Sequence, residues 1–269
     1  MAQPSSNQNR PPSRTARDRS RRVLSQNFLA DPRAISQIVR AARPDPQDLI
    51  VEVGAGRGQL TRALAAECGR VLAYEIDPHL IDELMANCAE LSNVTCLPSD
   101  FLAARVPREP FAVVANPPWA LTARVVDWCL RAPALTSATL LTQLEYARKR
   151  TGDYGRWSRL TVHTWPHFEW RLAGRVPRTA FRPVPRVDAG ILRLERRGAP
   201  LLPASTLVAY RDLVDLGFSG VGGSLYASLR KRYPQRRLHA ALRATRLRED
   251  IAVGFVWPEQ WLALFRLLS

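Results

Sequence analysis

The 269 residues carry 39 Lys plus Arg against 24 Asp plus Glu, and all but Lys149 and Lys231 of the basic residues are arginine. A net charge of +15 and 46% hydrophobic residues describe a chain able to bury a sizeable core while presenting guanidinium forks that match phosphate and stack on bases, so nucleic acid is the first partner to consider. No long apolar run and no isolated basic amphipathic segment favours a bilayer, so no membrane partner is expected.

The polar, arginine-rich stretch of residues 1–22 lacks the bulky apolar residues needed to order itself, and predicts a disordered basic arm for RNA phosphates. It is neither a secretory signal nor an anchor, which places the chain in the cytoplasm. After Asp31-Pro32, a helix start, Ile35, Ile38 and Val39 keep helical spacing until Pro44 and Pro46. Five short runs follow, separated by helix-like segments: Leu49–Val53, Val71–Tyr74, Val94–Leu97, Phe111–Ala115 and Thr139–Leu141. That alternation predicts an α/β fold with a mostly parallel sheet. Leu160–Trp165 and Ala189–Leu194 read as an added antiparallel edge pair, with the Pro-rich Phe181–Pro185 crossing between them. Beyond Pro203 the pattern is helical, with leucines such as Leu213, Leu216, Leu238 and Leu242 in phase. The expected division is residues 1–22 as arm, 23–200 as catalytic domain and 201–269 as a small helical RNA-binding domain.

Cys68, Cys88, Cys96 and Cys129 form no CxxC pair and read as reduced core thiols. His163 and His167 have the spacing of a helical metal pair, but Pro166 between them and strand-like neighbours argue against a metal site.

Glu52-Val53-Gly54-Ala55-Gly56-Arg57-Gly58 follows an apolar strand and precedes a helical segment, the place where an open α/β sheet binds its ligand. Glycines here let the backbone turn and approach a ligand closely. The G-x-G-x-G spacing lacks the last glycine of the dinucleotide fingerprint, which weakens a nicotinamide or flavin reading. Glu75, ending the next strand, has ribose-binding geometry, while Glu52 lies close enough to fix the loop amides. Asp100, in Ser99-Asp100-Phe101, offers an acceptor for an adenine amino group.

The strand Phe111–Ala115 ends in Asn116-Pro117-Pro118-Trp119. An exocyclic amine on adenine is a poor nucleophile because its lone pair is delocalised into the ring. The Asn116 side-chain oxygen and the Pro117 carbonyl can accept its two hydrogens, freeing the lone pair for in-line attack on a sulfonium methyl. Consecutive prolines stiffen the turn. Trp119 offers a face to a base that must leave its stack.

On these residues the chain resembles the ribosomal RNA adenine dimethyltransferase superfamily, and within it the Erm methyltransferases of actinomycetes. Ser25-Gln26-Asn27-Phe28-Leu29, Glu52 to Gly58, Glu75, Asp100, Asn116 and the proline-rich Phe181–Asp188 carry the resemblance. It implies a Rossmann-like class I methyltransferase fold and S-adenosylmethionine as cofactor, with no metal. Gln26 and Asn27 would lie beside the methionine part of the cofactor. Leu29, Glu52, Gly54, Gly56, Glu75 and Ile76 would continue that site, closed by Asp100, Phe101 and Asn116, with Asn116, Pro117 and Trp119 as the catalytic turn. Gln143–Arg150 and the basic N-terminal tail look more like the Erm branch than the small-subunit enzymes. The implied substrate is one adenine in the peptidyl-transferase region of protein-free or precursor large-subunit (23S) rRNA, acted on by a monomer, with macrolide, lincosamide and streptogramin B resistance as the outcome.

The family usually has a branched aliphatic residue where Pro117 stands and Tyr or Phe where Trp119 stands. A larger ring would narrow the site and favour monomethylation. Two alternatives stay open: a small-subunit (16S) rRNA adenine dimethyltransferase, and a non-catalytic nucleic-acid-binding factor on the same fold. RNA contact is expected from the arm, from Arg148–Arg159, and from Arg230, Lys231, Arg232, Arg236 and Arg237, with Tyr154 and Trp157 as candidates to stack on unpaired bases.

Overall fold

The computed structural model describes residues 27–220 and 223–269. The arm of residues 1–22 and Gln26 lie outside them. Helix α1 (Pro32–Ala42) starts where Asp31 caps it, its Oδ1 accepting from Arg33 N at 2.9 Å, and stops at Arg43 in the left-handed region.

The sheet begins with β2 (Leu49–Val53), every residue of which is buried. Such a run is what a parallel strand covered on both faces requires. Helix α2 (Gln59–Ala65) leads to β3 (Arg70–Tyr74), and helix α3 (Pro78–Cys88), capped by Asp77, leads to β4 (Val94–Leu97). The chain then returns to the other side of β2 with β5 (Phe111–Ala115), helix α4 (Thr122–Arg131) and β6 (Leu135–Gln143). Two further strands, β7 (Phe168–Val176) and β9 (Ala189–Arg196), complete seven strands in the order β4-β3-β2-β5-β6-β9-β7. The first five are parallel, and β9 runs antiparallel to both β6 and β7. Strand order reverses between β2 and β5, so their carboxyl ends flank a crevice. A separate two-stranded ribbon pairs β1 (Phe28–Leu29) with β8 (Phe181–Arg182) and ties the start of the described chain to the proline-rich segment.

One strand assignment fails. Leu160–Trp165 is helical, forming α6 (Arg159–Thr164), and the edge strand is Phe168–Val176. Its Thr and Val residues suit a strand locally, but Ser158 caps a helix start by accepting from Thr161 N at 3.3 Å. The threonine hydroxyls donate to Arg150 O and Leu160 O, both at 2.8 Å, so capping and tertiary hydrogen bonds override β propensity. His163 therefore sits at the end of a helix with Nε2 2.8 Å from Asp215, while His167 lies past Pro166.

Alternate residues of β2 and β5 feed two cores. Val51, Val53 and Val113 pack on one face with α4 and the C-terminal helices, while Ile50 and Val114 pack on the other with Ile38 and Leu64 of α1 and α2. After α5 (Leu144–Thr151) and α6, the C-terminal helices are α7 (Leu207–Gly217), α8 (Leu225–Leu229), α9 (Gln235–Ala244) and α10 (Pro258–Leu268). They share the first core with the sheet. Fully buried Tyr210 donates its hydroxyl to Val162 O at 2.9 Å, which ties α7 to α6.

Candidate cofactor cleft and catalytic turn

Strand ends place the polar groups. The loop after β2 turns through Gly54, Gly56 and Gly58 at φ of 72°, 60° and 82°, a region that a side chain disfavours. Gly54 N and Ala55 N both donate to Tyr74 O, at 2.9 and 3.0 Å, which binds the loop to the end of β3. Gly56 N donates to Glu75 Oε2 at 2.8 Å, and Glu75 Oε1 accepts from Ile76 N and Asp77 N at 2.9 and 2.8 Å. Glu75 is thus held rigidly while Oε2 keeps lone-pair capacity.

Glu52 does not hold those amides. It points from β2 towards α2, is 1% exposed, and its Oε2 has no hydrogen-bond partner among the described residues. Burial pushes its carboxyl up to about 8, an effect that the neighbouring Thr61 hydroxyl offsets and the charge on Glu75 reinforces. Neutral at pH 7, Glu52 lines a smaller recess beside the glycine loop with Leu29, Gln59 and Asn116.

A solvent-open cleft with about 710 Å³ of empty space lies at the crevice between β2 and β5 and is lined by Asn27, Gly54, Gly56, Glu75, Ile76 and Asp100, among others. Phe101, also in the lining, is buried against Tyr74 and Trp128, with ring centroids 5.6 and 4.3 Å away. Asp100 Oδ1 accepts from Leu102 N at 2.9 Å, shaping the turn after β4. Opposite them stands Asn116. Its Nδ2 donates to Asn27 O at 2.9 Å, and among the described residues nothing donates to its Oδ1 or to the Pro117 carbonyl. The structure thus gathers Asn27, both glycines, Glu75, Ile76, Asp100, Phe101 and Asn116 around one cleft, with Leu29 and Glu52 behind the loop. Trp119 is not in the lining: it packs edge-on to Phe181 with ring centroids 6.0 Å apart, and its Nε1 finds no partner among the described residues.

A family model for ribosomal RNA adenine dimethylase matches residues 17–269. The chain belongs to that family. It is 60% identical over 252 residues to a protein of Streptomyces fradiae named rRNA adenine N-6-methyltransferase, covering 93% of this chain and 79% of the relative. It is 37% identical over 252 residues to the mycinamicin-resistance protein MyrB of Micromonospora griseorubida, covering 92% of this chain and 78% of that one. The crystal structure of the 23S rRNA methyltransferase ErmE matches with a TM-score of 0.88 at 49% identity, over 90% of this chain and 99% of that one. The resemblance to the Erm branch and the methyltransferase fold are both borne out.

Some of this family member's cleft residues escape motif reading. The Phe28 ring lies where a Cβ on Gly56 would meet it at 3.5 Å, and the Arg57 guanidinium lies 5.8 Å from the ring centroid. Pro118, Leu121 and Val125 form the apolar wall of the cleft beside Asn116. The i, i+4 spacing of Leu121 and Val125 was the available signal, but an apolar pair on a helix usually means core.

Proposed function

We propose that this chain transfers a methyl group from S-adenosylmethionine to N6 of one adenine in the peptidyl-transferase region of 23S rRNA, and so protects ribosomes against macrolides, lincosamides and streptogramin B. The observation that carries the reading is the fixed orientation of Asn116. Its amide donor is spent on Asn27 O, which leaves Oδ1 as an acceptor at the mouth of a cleft whose other side is acidic.

The residues fit the cofactor. Glu75 Oε2 has capacity for a ribose hydroxyl, and Asp100 Oδ2, without a partner among the described residues, suits the amino group of the cofactor's adenine. Side-chain-free Gly54 and Gly56 let the backbone come within contact of the catalytic turn, a Cβ on Gly54 being 3.7 Å from Pro118 Cδ. Phe28 and Ile76 cover the apolar parts. Bound there, S-adenosylmethionine supplies an electrophilic methyl on a sulfonium. For the target base, Asn116 Oδ1 and the Pro117 carbonyl accept the two N6 hydrogens, hold the amine pyramidal and aim its lone pair into the cleft. Trp119, stiffened by its contact with Phe181, offers the edge of an aromatic stop for the extruded base. Needing no side-chain base, the site suits a cleft in which Glu52 is neutral and buried.

The N-terminal arm and the arginine-rich helices of residues 201–269 are read as the RNA-holding part of a monomer that acts on protein-free or precursor rRNA. The test is methyl transfer from labelled S-adenosylmethionine to purified large- and small-subunit rRNA, mapped by primer extension and nucleoside mass spectrometry. A single modified adenine in the large-subunit peptidyl-transferase loop supports the reading. Adjacent adenines near the small-subunit 3′ end would replace it with the housekeeping reaction. Mainly dimethyladenine at saturating enzyme would remove the restriction assigned to Trp119.

A further inference from the structure

Away from the cleft, one surface combines features that its own fold does not use. The turn after α5 and the turn before α10 meet where Trp157 N donates to Gly254 O at 2.7 Å. Trp157 is buried there, whereas three other rings stay in water: Tyr154 is 70% exposed, Trp257 52% and Phe255 42%. Trp257 leans on Trp157 with centroids 5.5 Å apart, and Arg156 lies 5.1 Å over the Phe255 ring. Arg148 lies 5.1 Å over the Tyr154 ring and donates to its hydroxyl at 2.6 Å.

The backbone is shaped to make this arrangement. Tyr154 is left-handed at φ 61° between Gly152 at 72° and Gly155 at 68°, a conformation that a residue with a side chain disfavours. Gly152 is needed because a Cβ there would strike the Trp157 indole at 2.3 Å. The turn therefore seats Trp157 and throws Tyr154 outwards. Exposed rings on two turns that meet mark an interaction surface, and the chain's charge selects the partner. Arg148 is offset by Asp153 at 2.8 Å, but exposed Arg156 makes no ion pair among the described residues.

We infer that Tyr154, Phe255 and Trp257, with Arg156, form a stacking platform for unpaired bases of the RNA substrate, outside the catalytic cleft. The rings take base faces without regard to identity, and the guanidinium meets the phosphate or stacks beside them. β6 ends at the same sheet edge as β5, which delivers Asn116, and α5 leaves from that edge. A strand held on the platform is thus anchored on the element that follows β6, outside the cleft. The inference rests on the rRNA methyltransferase reading, and its test separates the two.

The test uses the full chain and fluorescence anisotropy, with a labelled mixed-sequence single-stranded RNA 12-mer and its fully paired duplex as probes, at several salt concentrations. Tyr154→Ala and Trp257→Ala are each expected to weaken single-strand binding about tenfold while duplex binding and the salt slope stay as in wild type. Trp257→Phe, which keeps a ring against Trp157, should restore most of the loss and guards against a folding artefact. Arg156→Gln should lower the slope of log K against log salt by about one on both probes. Equal losses on strand and duplex, or no loss in either ring variant, would overturn the platform. If wild type methylates 23S rRNA while the ring variants bind the 12-mer as wild type does, the platform alone fails. If wild type methylates no rRNA, the functional reading fails and the platform stands only if the strand-specific losses are still seen.

Discussion

The cleft and the arginine-rich surface handle polar groups in opposite ways. In the cleft each group is short, sits at a strand end and is pinned by main-chain hydrogen bonds, as Glu75 is by three amides and Asn116 by Asn27 O. On the surface the groups are long guanidiniums and exposed rings, held by stacking and by partly exposed ion pairs such as Arg148–Asp153. Pinned acceptors control where a reacting atom sits, so their loss should appear in turnover or cofactor affinity. Long exposed cations control how often and how firmly a polyanion is held, so their loss should appear in RNA affinity and its salt dependence.

The sharpest way to break that contrast is Asn116→Ala. Methyl transfer should fall by roughly 10²–10³, with cofactor affinity by calorimetry nearly unchanged; equal losses in both would make Asn116 a cofactor ligand instead. Glu75→Ala should do the reverse, weakening cofactor binding by roughly tenfold to a hundredfold, since an ionised acceptor contributes about 1.5–3 kcal/mol. Turnover at saturating cofactor should be less affected.

Glu52 supplies a pH-dependent test inside the cleft. Its carboxyl is raised from 4.5 to about 8 by burial, so between those values the folded chain holds a proton that the unfolded chain has lost. The contribution of Glu52 to stability therefore falls as pH rises through that window and levels off above about 8. Glu52→Gln should remove this contribution, so that urea unfolding at pH 5.5, 7 and 8.5 shows the variant gaining on wild type at each step. A constant difference would mean that Glu52 is ionised in the folded chain. The smallest effect is expected on the surface: Arg236→Gln, at an exposed position of α9, should reduce RNA affinity only a few-fold and the salt slope by about one, with turnover at saturating RNA unchanged.

The pinned region was legible in the sequence because its residues are local. Glycine loop, Glu75, Asp100 and Asn116 each end a strand, and parallel order alone brings those ends to one edge. Phe28 was less legible, since its place against Gly56 depends on the β1–β8 ribbon, which joins segments far apart in the chain. Among the aromatics, Tyr154 and Trp157 could not be told apart by composition. Three left-handed residues decide that Tyr154 is exposed and Trp157 buried, and Phe255 and Trp257 join them only through a contact across the fold.

The sequence by itself determined the alternating α/β order, the residues that meet at the crevice and the family, because hydrophobic period, glycine spacing and strand-end acids are properties of neighbouring residues. Tertiary structure alone decided that Leu160–Trp165 is a helix, that Glu52 is a buried acid facing α2, that Trp119 leans on Phe181, and that the C-terminal helices share a core with the sheet. Each of these depends on burial and hydrogen bonds between segments distant in the chain, and such long-range terms outweigh a local propensity worth only a fraction of a kcal/mol to about 1 kcal/mol per residue.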